Sequence, residues 1–157
     1  MNTSPKQHGF TMVEILVVIV VISLIMSIIF VFIPDARRQS RDKERQSDID
    51  TIHGRLEEYY QDKGAYPSSI TVALFPRIDP AALISPNGDS IRNDTPVADE
   101  YTARGSVDPG ISGAQYSYTA YPTSCTDNCV GYILKAVIES PSTEFPNPYL
   151  QGGLNNN

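Results

Sequence analysis

The sequence predicts an α+β protein in which a long N-terminal α-helix packs on a small antiparallel β-sheet. Residues 15–33 form a run of nineteen residues without a charge, which as a helix is roughly 28 Å long. Behind this run, apolar residues recur at helical spacing, and two later segments alternate apolar and polar residues as strands do. We therefore expect a helix with a transmembrane first half and an amphipathic second half, followed by a sheet.

The composition excludes two broad classes of protein. With 157 residues, 41% hydrophobic and 19% charged, the chain is expected to fold as one compact domain with appendages and not to be disordered throughout. The formal net charge is −6, and residues 64–157 hold four basic and nine acidic side chains. An acidic head is a poor partner for nucleic acid, which argues against a DNA receptor and predicts no direct nucleic-acid binding.

The apolar run is long enough for a single membrane pass, because a bilayer core is about 30 Å thick. No second run approaches its length, so we expect a bitopic protein. An ordinary secretory signal has a shorter apolar stretch that is followed by a small-residue cleavage site. Residues 32–36, FIPDA, match such a site poorly, and we therefore expect the apolar segment to remain in the mature protein.

A short polar leader, MNTSPKQHG, precedes the sequence FTMVEILVV. It contains Lys6, it places Gly9 before Phe10, and Glu14 is the only acidic residue ahead of the apolar run. In this order the features resemble the type IV prepilin motif of the type IV pilin family, which includes type II secretion pseudopilins. The resemblance implies a pilin fold, a leader peptide at residues 1–9, cleavage by prepilin peptidase between Gly9 and Phe10, and N-methylation of Phe10.

Glu14 lies where a carboxylate is costly, about 2.5–3.5 kcal/mol at the centre of a membrane helix and less near its end. The helix dipole favours an anion in the first turn. Glu14 also follows Phe10 by one turn, and cleavage would give Phe10 a largely protonated amine. The resemblance implies that Glu14 pairs with the N-terminal amine of a neighbouring subunit and sets filament register. The alternative is an interfacial acid solvated by lipid headgroups.

The helix is expected to have a transmembrane, filament-core part at residues 10–34 and an amphipathic part at residues 35–63. Pro34 should kink it, and Gly64 should end it. The amphipathic part carries an apolar stripe that should pack on the sheet. This stripe consists of Ile49, Ile52, Leu56 and Tyr59 or Tyr60.

Two residues near this stripe have structural interpretations. His53 lies at its edge and is expected to be a partly buried core residue without a metal or catalytic role. Gly54 costs a helix about 1 kcal/mol relative to alanine, and we expect it to allow close approach of the sheet.

Residues 35–45 hold five basic and three acidic side chains. The positive-inside rule alone would place this flank in the cytoplasm, whereas the prepilin resemblance requires the leader inside and the head outside. The interspersed acids predict salt bridges between helices or a solvated face. The basic residues are Arg37, Arg38, Arg41, Lys43 and Arg45.

The head divides into a helix-to-sheet loop region, residues 64–115, and an antiparallel sheet head with its tail, residues 116–157. The first part is rich in turn formers and should contain short helical turns. Strands are predicted at 115–121 and 130–139, with a third near 149–150 and a frayed end from residue 151. In the second strand, Val130, Tyr132, Leu134, Ala136 and Ile138 share the face toward the helix, and Lys135 and Glu139 share the other.

The two cysteines, Cys125 and Cys129, lie between the predicted strands. No His or further Cys adjoins them, so a metal site would lack ligands. A disulfide that pins the hairpin connection fits an oxidising exterior, and the alternative is two free thiols. The tail FPNPYL weakly resembles type II secretion major pseudopilins, which hold calcium there with acidic ligands. Only Glu144 is nearby, so no metal or other cofactor is predicted.

The resemblance implies a structural subunit of a type IV pilus that serves adhesion, twitching motility or DNA uptake. The alternative is a pseudopilin of a type II secretion or competence apparatus. In either case the implied partners are further copies in a helical filament, prepilin peptidase, a pilus assembly platform and, before assembly, the inner membrane. The protein would lie in the cytoplasmic membrane with its head outside and then in an extracellular filament. An anchored enzyme is disfavoured, because the sequence shows no nucleophile motif, phosphate loop or ligand cluster.

Overall fold

The computed structural model describes residues 10–105, 115–143 and 146–154. The chain divides into two compact units, Met1–Arg37 and Arg38–Asn157. The predicted α+β class, a long N-terminal helix with a small sheet, is confirmed. In chain order the elements are α1 (Met12–Lys63), a 3-10 helix (Pro80–Leu83), β1 (Arg92–Asn93), α2 (Glu100–Arg104), β2 (Tyr116–Tyr121), β3 (Gly131–Ala136) and β4 (Tyr149–Gly152).

Helix α1 continues through Pro34 and ends at Lys63. The next residue, Gly64, has a φ of 73°, and its amide donates to the Tyr60 carbonyl over 2.7 Å. Glycine takes this left-handed conformation without the penalty that a Cβ brings, which explains why the helix ends here. The kink that we expect at Pro34 stays a prediction.

The four strands form one sheet in the order β1-β2-β3-β4. Strand β2 pairs antiparallel with β3, and β3 pairs antiparallel with β4. The predicted antiparallel sheet is therefore confirmed for these three strands. An edge strand that was not predicted is added to it, because β1 runs parallel to β2 and Arg92 pairs with Ser117. Parallel neighbours need a long crossover, and α2 lies in the connection between β1 and β2.

The main core lies between the second half of α1 and the sheet. Ile49, Ile52 and Leu56 are fully buried, and they share one cluster with Tyr118 and Leu134 of the sheet. The predicted apolar stripe is therefore confirmed. Each of these aliphatic side chains contributes about 1.5–3 kcal/mol by leaving water, so this contact is the main attachment of the head to its helix.

The other face of the sheet is covered as well. Every residue of β2 and β3 is buried, and a second, smaller cluster joins Ala103 of α2 to Tyr121 and Ile133. Lys135, on this face, is fully buried. The sequence contained a signal for α2, because Asp99 is a good N-cap residue and its side chain accepts from the Thr102 amide over 2.8 Å. Short helical turns were predicted in the loop region 64–115, but their positions were not.

The basic flank of the helix pairs with the head. Arg41 binds both carboxylate oxygens of Glu139, and the fully buried Arg45 donates to Glu139 over 2.5 Å and to Asp42 over 2.7 Å. The hydrogen bond from Arg41, and to a smaller extent that from Arg45, lowers the pKa of Glu139 to about 2. The expected salt bridges between helices, or a solvated face, are wrong for Arg41 and Arg45, which neutralise an acid three residues beyond β3.

Glu57 fastens the C-terminal segment to the helix. Its buried carboxylate accepts from the hydroxyls of Tyr66 and Tyr132, at 3.0 and 3.1 Å, and from the Leu154 amide at 3.1 Å. Residues 151–154 are therefore held, and the expectation of a frayed end is wrong for them; residues 155–157 lie outside the described ones. His53 contacts the Tyr132 hydroxyl at 2.7 Å, which confirms it as a partly buried core residue.

Gly54 lies on the exposed side of α1. A Cβ built there would meet nothing within 4 Å. The expectation that this glycine allows close approach of the sheet is therefore wrong, since the buried stripe lies on the other side of the helix.

Candidate functional site

The candidate site is the N-terminal segment that begins at Phe10. The Phe10 side chain is 80% exposed and precedes the first helical residue, Met12. Gly9 lies outside the described residues, as does the rest of the leader, so cleavage of the Gly9–Phe10 bond and methylation of Phe10 stay predictions. An exposed residue just ahead of a helix is accessible to a processing enzyme.

Thr11 and Glu14 cap the helix reciprocally. The Thr11 hydroxyl accepts from the Glu14 amide over 3.2 Å, and the Glu14 carboxylate accepts from the Thr11 amide over 3.5 Å. This is a capping box, and its Thr-x-x-Glu spacing is a sequence signal that sequence reasoning missed. The carboxylate bond is at the long limit of hydrogen bonding. Glu14 thus has a weak partner within its own chain and could exchange it for a charged one, which would bind more strongly.

The helix behind this cap has an exposed apolar surface. Seventeen of the described large apolar side chains between Met12 and Phe32 are 43–93% exposed. The helix is long and apolar enough to cross a membrane. The Ser23 hydroxyl is satisfied within the helix, donating to the Ile19 carbonyl over 2.7 Å. This surface requires a cover of lipid or of other helices.

The structure joins Cys125 and Cys129 in a disulfide within the β2–β3 connection. The amide and carbonyl of Cys129 each pair with Tyr66 over 2.9 Å, and the Ser68 amide donates to the Thr126 carbonyl over 2.6 Å. The bridged loop is therefore attached to the segment that follows α1. The disulfide constrains the hairpin connection and this attachment together.

No metal centre accompanies these features in the part of the chain that the structure describes. There, no three His, Cys, Asp or Glu side chains gather in an arrangement that could hold a metal ion. Glu144, the one acid that sequence reasoning considered for calcium, lies outside the described residues. The half-buried carboxylate of Asp48 in α1 accepts a hydrogen bond from the Tyr116 hydroxyl over 2.7 Å.

Comparisons with known proteins find a family model that matches the N-terminal segment, and similar proteins. The model of the prokaryotic N-terminal methylation motif matches residues 4–30. Type II secretion system core protein G of Klebsiella pneumoniae is 31% identical over 94 residues, which are 55% of this chain and 65% of that protein. The protein of the same name from Escherichia coli (strain K12) is 32% identical over 69 residues, 44% of this chain and 48% of that protein.

The chain thus spans less than two thirds of the length of either of these relatives. No solved structure matches it. The family model covers the cap residues and the apolar helix as far as residue 30. The chain carries the prokaryotic N-terminal methylation motif and is similar to type II secretion core protein G, and its predicted resemblance to type IV pilin-like proteins is confirmed.

Proposed function

We propose that the chain is a structural subunit of a helical filament of the type IV pilus kind, cleaved after Gly9, methylated at Phe10 and assembled through its N-terminal helix. The observation that carries this proposal is the exposed apolar helix between Met12 and Phe32, which has one carboxylate, Glu14, in its first turn. Lipid covers such a surface before assembly, and neighbouring helices cover it afterwards.

The apolar surface and the Glu14 carboxylate make different contributions to the free energy of assembly. Removing the exposed area of these seventeen apolar side chains from water is worth roughly 15–30 kcal/mol, so the segment stays covered by lipid or by neighbouring helices throughout. This term is large but non-directional, so it does not set how far one helix shifts along another. A carboxylate and an amine about 4 Å apart attract by about 4 kcal/mol at an effective dielectric of 20. Glu14 therefore supplies register to helices that pack through their apolar surfaces.

Two filaments fit this subunit. A type IV pilus would serve adhesion, twitching motility or DNA uptake. A pseudopilus of a type II secretion or competence apparatus is favoured by the similarity to core protein G in two organisms. Long surface filaments at native expression would support the pilus. A secretion defect on deletion of the gene, without long filaments, would support the pseudopilus.

The proposed steps of membrane insertion, processing and assembly imply a set of partners. The subunit would enter the inner membrane with its head outside, meet prepilin peptidase at the Gly9–Phe10 bond, and then join further copies at an assembly platform. Its role would be structural and not enzymatic, as the similarity to a secretion-system core protein suggests. The acidic composition of the head disfavours direct contact with nucleic acid.

The decisive variant is Glu14→Val. We expect the variant to be inserted and processed normally but to enter filaments poorly, because it lacks the charge that sets register. Val13→Leu is a matched control, since it changes a neighbouring residue in the same turn and keeps the carboxylate. The measurement is the subunit content of filaments sheared from cells. Normal incorporation of Glu14→Val would remove the assembly role.

Processing is tested separately with Gly9→Val. A branched side chain at this position should block the peptidase, so that the membrane fraction retains a protein longer by the nine-residue leader. N-terminal sequencing reads the outcome directly. A Gly9→Val protein that still begins at Phe10 would show that another activity trims the chain.

A further inference from the structure

We propose that Asn87 is a site of spontaneous deamidation on the head, where its side-chain amide is converted to a carboxylate beside Arg45. Asn87 precedes Gly88, and this is the one Asn-Gly pair in the sequence. Glycine has no Cβ to obstruct attack by its own backbone nitrogen on the preceding side chain. Both residues are exposed, and a Cβ built at Gly88 would meet nothing within 4 Å.

The reaction balances with water alone. The Gly88 nitrogen bonds to Cγ of Asn87, the Cγ–amide bond breaks, and ammonia leaves with the proton from Gly88. Water then opens the five-membered imide at either carbonyl, which yields aspartate or isoaspartate. No oxidant or reductant is needed. Either product adds one negative charge to the head.

The local geometry both activates and restrains the site. A guanidinium nitrogen of Arg45 lies 3.4 Å from Oδ1 of Asn87, where it stabilises the negative charge that develops on that oxygen during attack. The Gly88 amide donates to the Ser85 carbonyl over 2.8 Å and closes the turn. This bond must open first. Since such a bond is worth about 1 kcal/mol, the folded chain should react about five- to tenfold more slowly than a free peptide.

Other asparagines are held in ways that oppose the same step. The Asn93 side chain is bonded at both ends to the backbone of Ile70, at 2.6 and 3.0 Å. Asn128 precedes Cys129, whose amide is bonded to the Tyr66 carbonyl over 2.9 Å. Asn147 precedes Pro148, which has no amide proton to lose. Within the described residues, Asn87 thus combines an exposed side-chain amide with a following residue that has no Cβ.

The product would alter a charge network that is already present. Arg45 is fully buried and pairs with Asp42 and Glu139. The amide of Asn87 gives it only a long, neutral contact. A carboxylate at the same position would accept a charge-assisted hydrogen bond, which is shorter and stronger. Deamidation therefore strengthens the tie between the turn at 85–88 and helix α1.

The test is a time course on the full chain in detergent, incubated at mildly alkaline and at mildly acidic pH. Trypsin releases residues 78–92 as a peptide with Asn87 as its one asparagine. We expect this peptide to gain about 1 Da with time at alkaline pH, partly as isoaspartate. The rate should lie below that of a synthetic peptide 78–92 and above that of Asn93 and Asn128.

The Asn87→Gln variant is the matched control, because it keeps an amide but lengthens the side chain, so the five-membered ring cannot form. Its 78–92 peptide should keep its mass throughout. The proposal is overturned if the native peptide stays unmodified while the synthetic peptide is converted completely. It is also overturned if Asn93 or Asn128 reacts as fast as Asn87.

Discussion

Replacing Glu139 with glutamine should destabilise the head strongly although the side chain keeps its shape. In the folded chain Glu139 binds Arg41 and the fully buried Arg45. Glu139→Gln leaves Arg45 with Asp42 as its charged partner in this network and weakens the two bonds to Arg41. The change removes one charge and creates no cavity, so its effect reports on electrostatics rather than on packing.

The magnitude follows from two independent considerations. Removing one partner of a buried ion pair costs about 3–5 kcal/mol. The fall of the Glu139 pKa from 4.5 to about 2 corresponds to about 3 kcal/mol before solvent screening. The Glu139 side chain is 24% exposed, and glutamine retains neutral hydrogen bonds. We therefore expect a loss of about 2–3 kcal/mol in the free energy of unfolding at neutral pH.

The pH dependence has a definite sign. Because the folded pKa of Glu139 lies below its unfolded value, the contribution of the carboxylate to stability is fully present above pH 4.5 and is lost as pH falls toward 2. Glutamine does not titrate. The stability difference between the natural chain and Glu139→Gln should therefore be constant near neutrality and should shrink between pH 4.5 and pH 2.

Urea unfolding of the full chain in detergent, followed by near-ultraviolet circular dichroism of its nine tyrosines, measures this difference. Glu58→Gln is the matched control. Glu58 pairs with Arg55 at 2.6 Å, but its side chain is 46% exposed, so its loss should cost less than about 1 kcal/mol. Equal effects of the two variants, or a difference for Glu139→Gln that persists unchanged at pH 2, would refute the reasoning.

Two further variants test the fold by the same unfolding assay. Gly54→Ala should raise the free energy of unfolding by about 1 kcal/mol, since its Cβ enters open space; a decrease would mean that this helix face is occupied. Removing the disulfide in Cys125→Ser/Cys129→Ser should lower it by about 2 kcal/mol, the chain-entropy value for so small a loop. Dithiothreitol should have the same effect on the natural chain and none on the variant.

The periodic spacing of apolar residues predicted the helix and the strands whose buried faces follow that spacing. The stripe at Ile49, Ile52 and Leu56 follows the helical period, and each of its residues is fully buried. The alternation that predicted strands at 115–121 and 130–139 corresponds to β2 and β3, antiparallel neighbours. Strand β1 has two residues, too few to show any period, and its parallel pairing depends on the connection that follows it.

Contacts between distant parts of the chain could not be predicted from such patterns. Arg41 and Glu139 are 98 residues apart, and Glu57 and Leu154 are 97 apart. A charged stretch of helix has the same composition whether it faces solvent or a carboxylate of the head. At the candidate site the order of Gly9, Phe10 and Glu14 was sufficient to predict the resemblance, whereas the cap between Thr11 and Glu14 was visible in the spacing but was overlooked.

In the proposed function the chain loses its leader and polymerises through the apolar helix behind it. Mass spectrometry of the subunit in filaments sheared from cells tests both steps at once. We expect a subunit that begins at a methylated Phe10 and contains the whole apolar segment. A chain that retains Met1 in the membrane, with no copy in any filament, would contradict it.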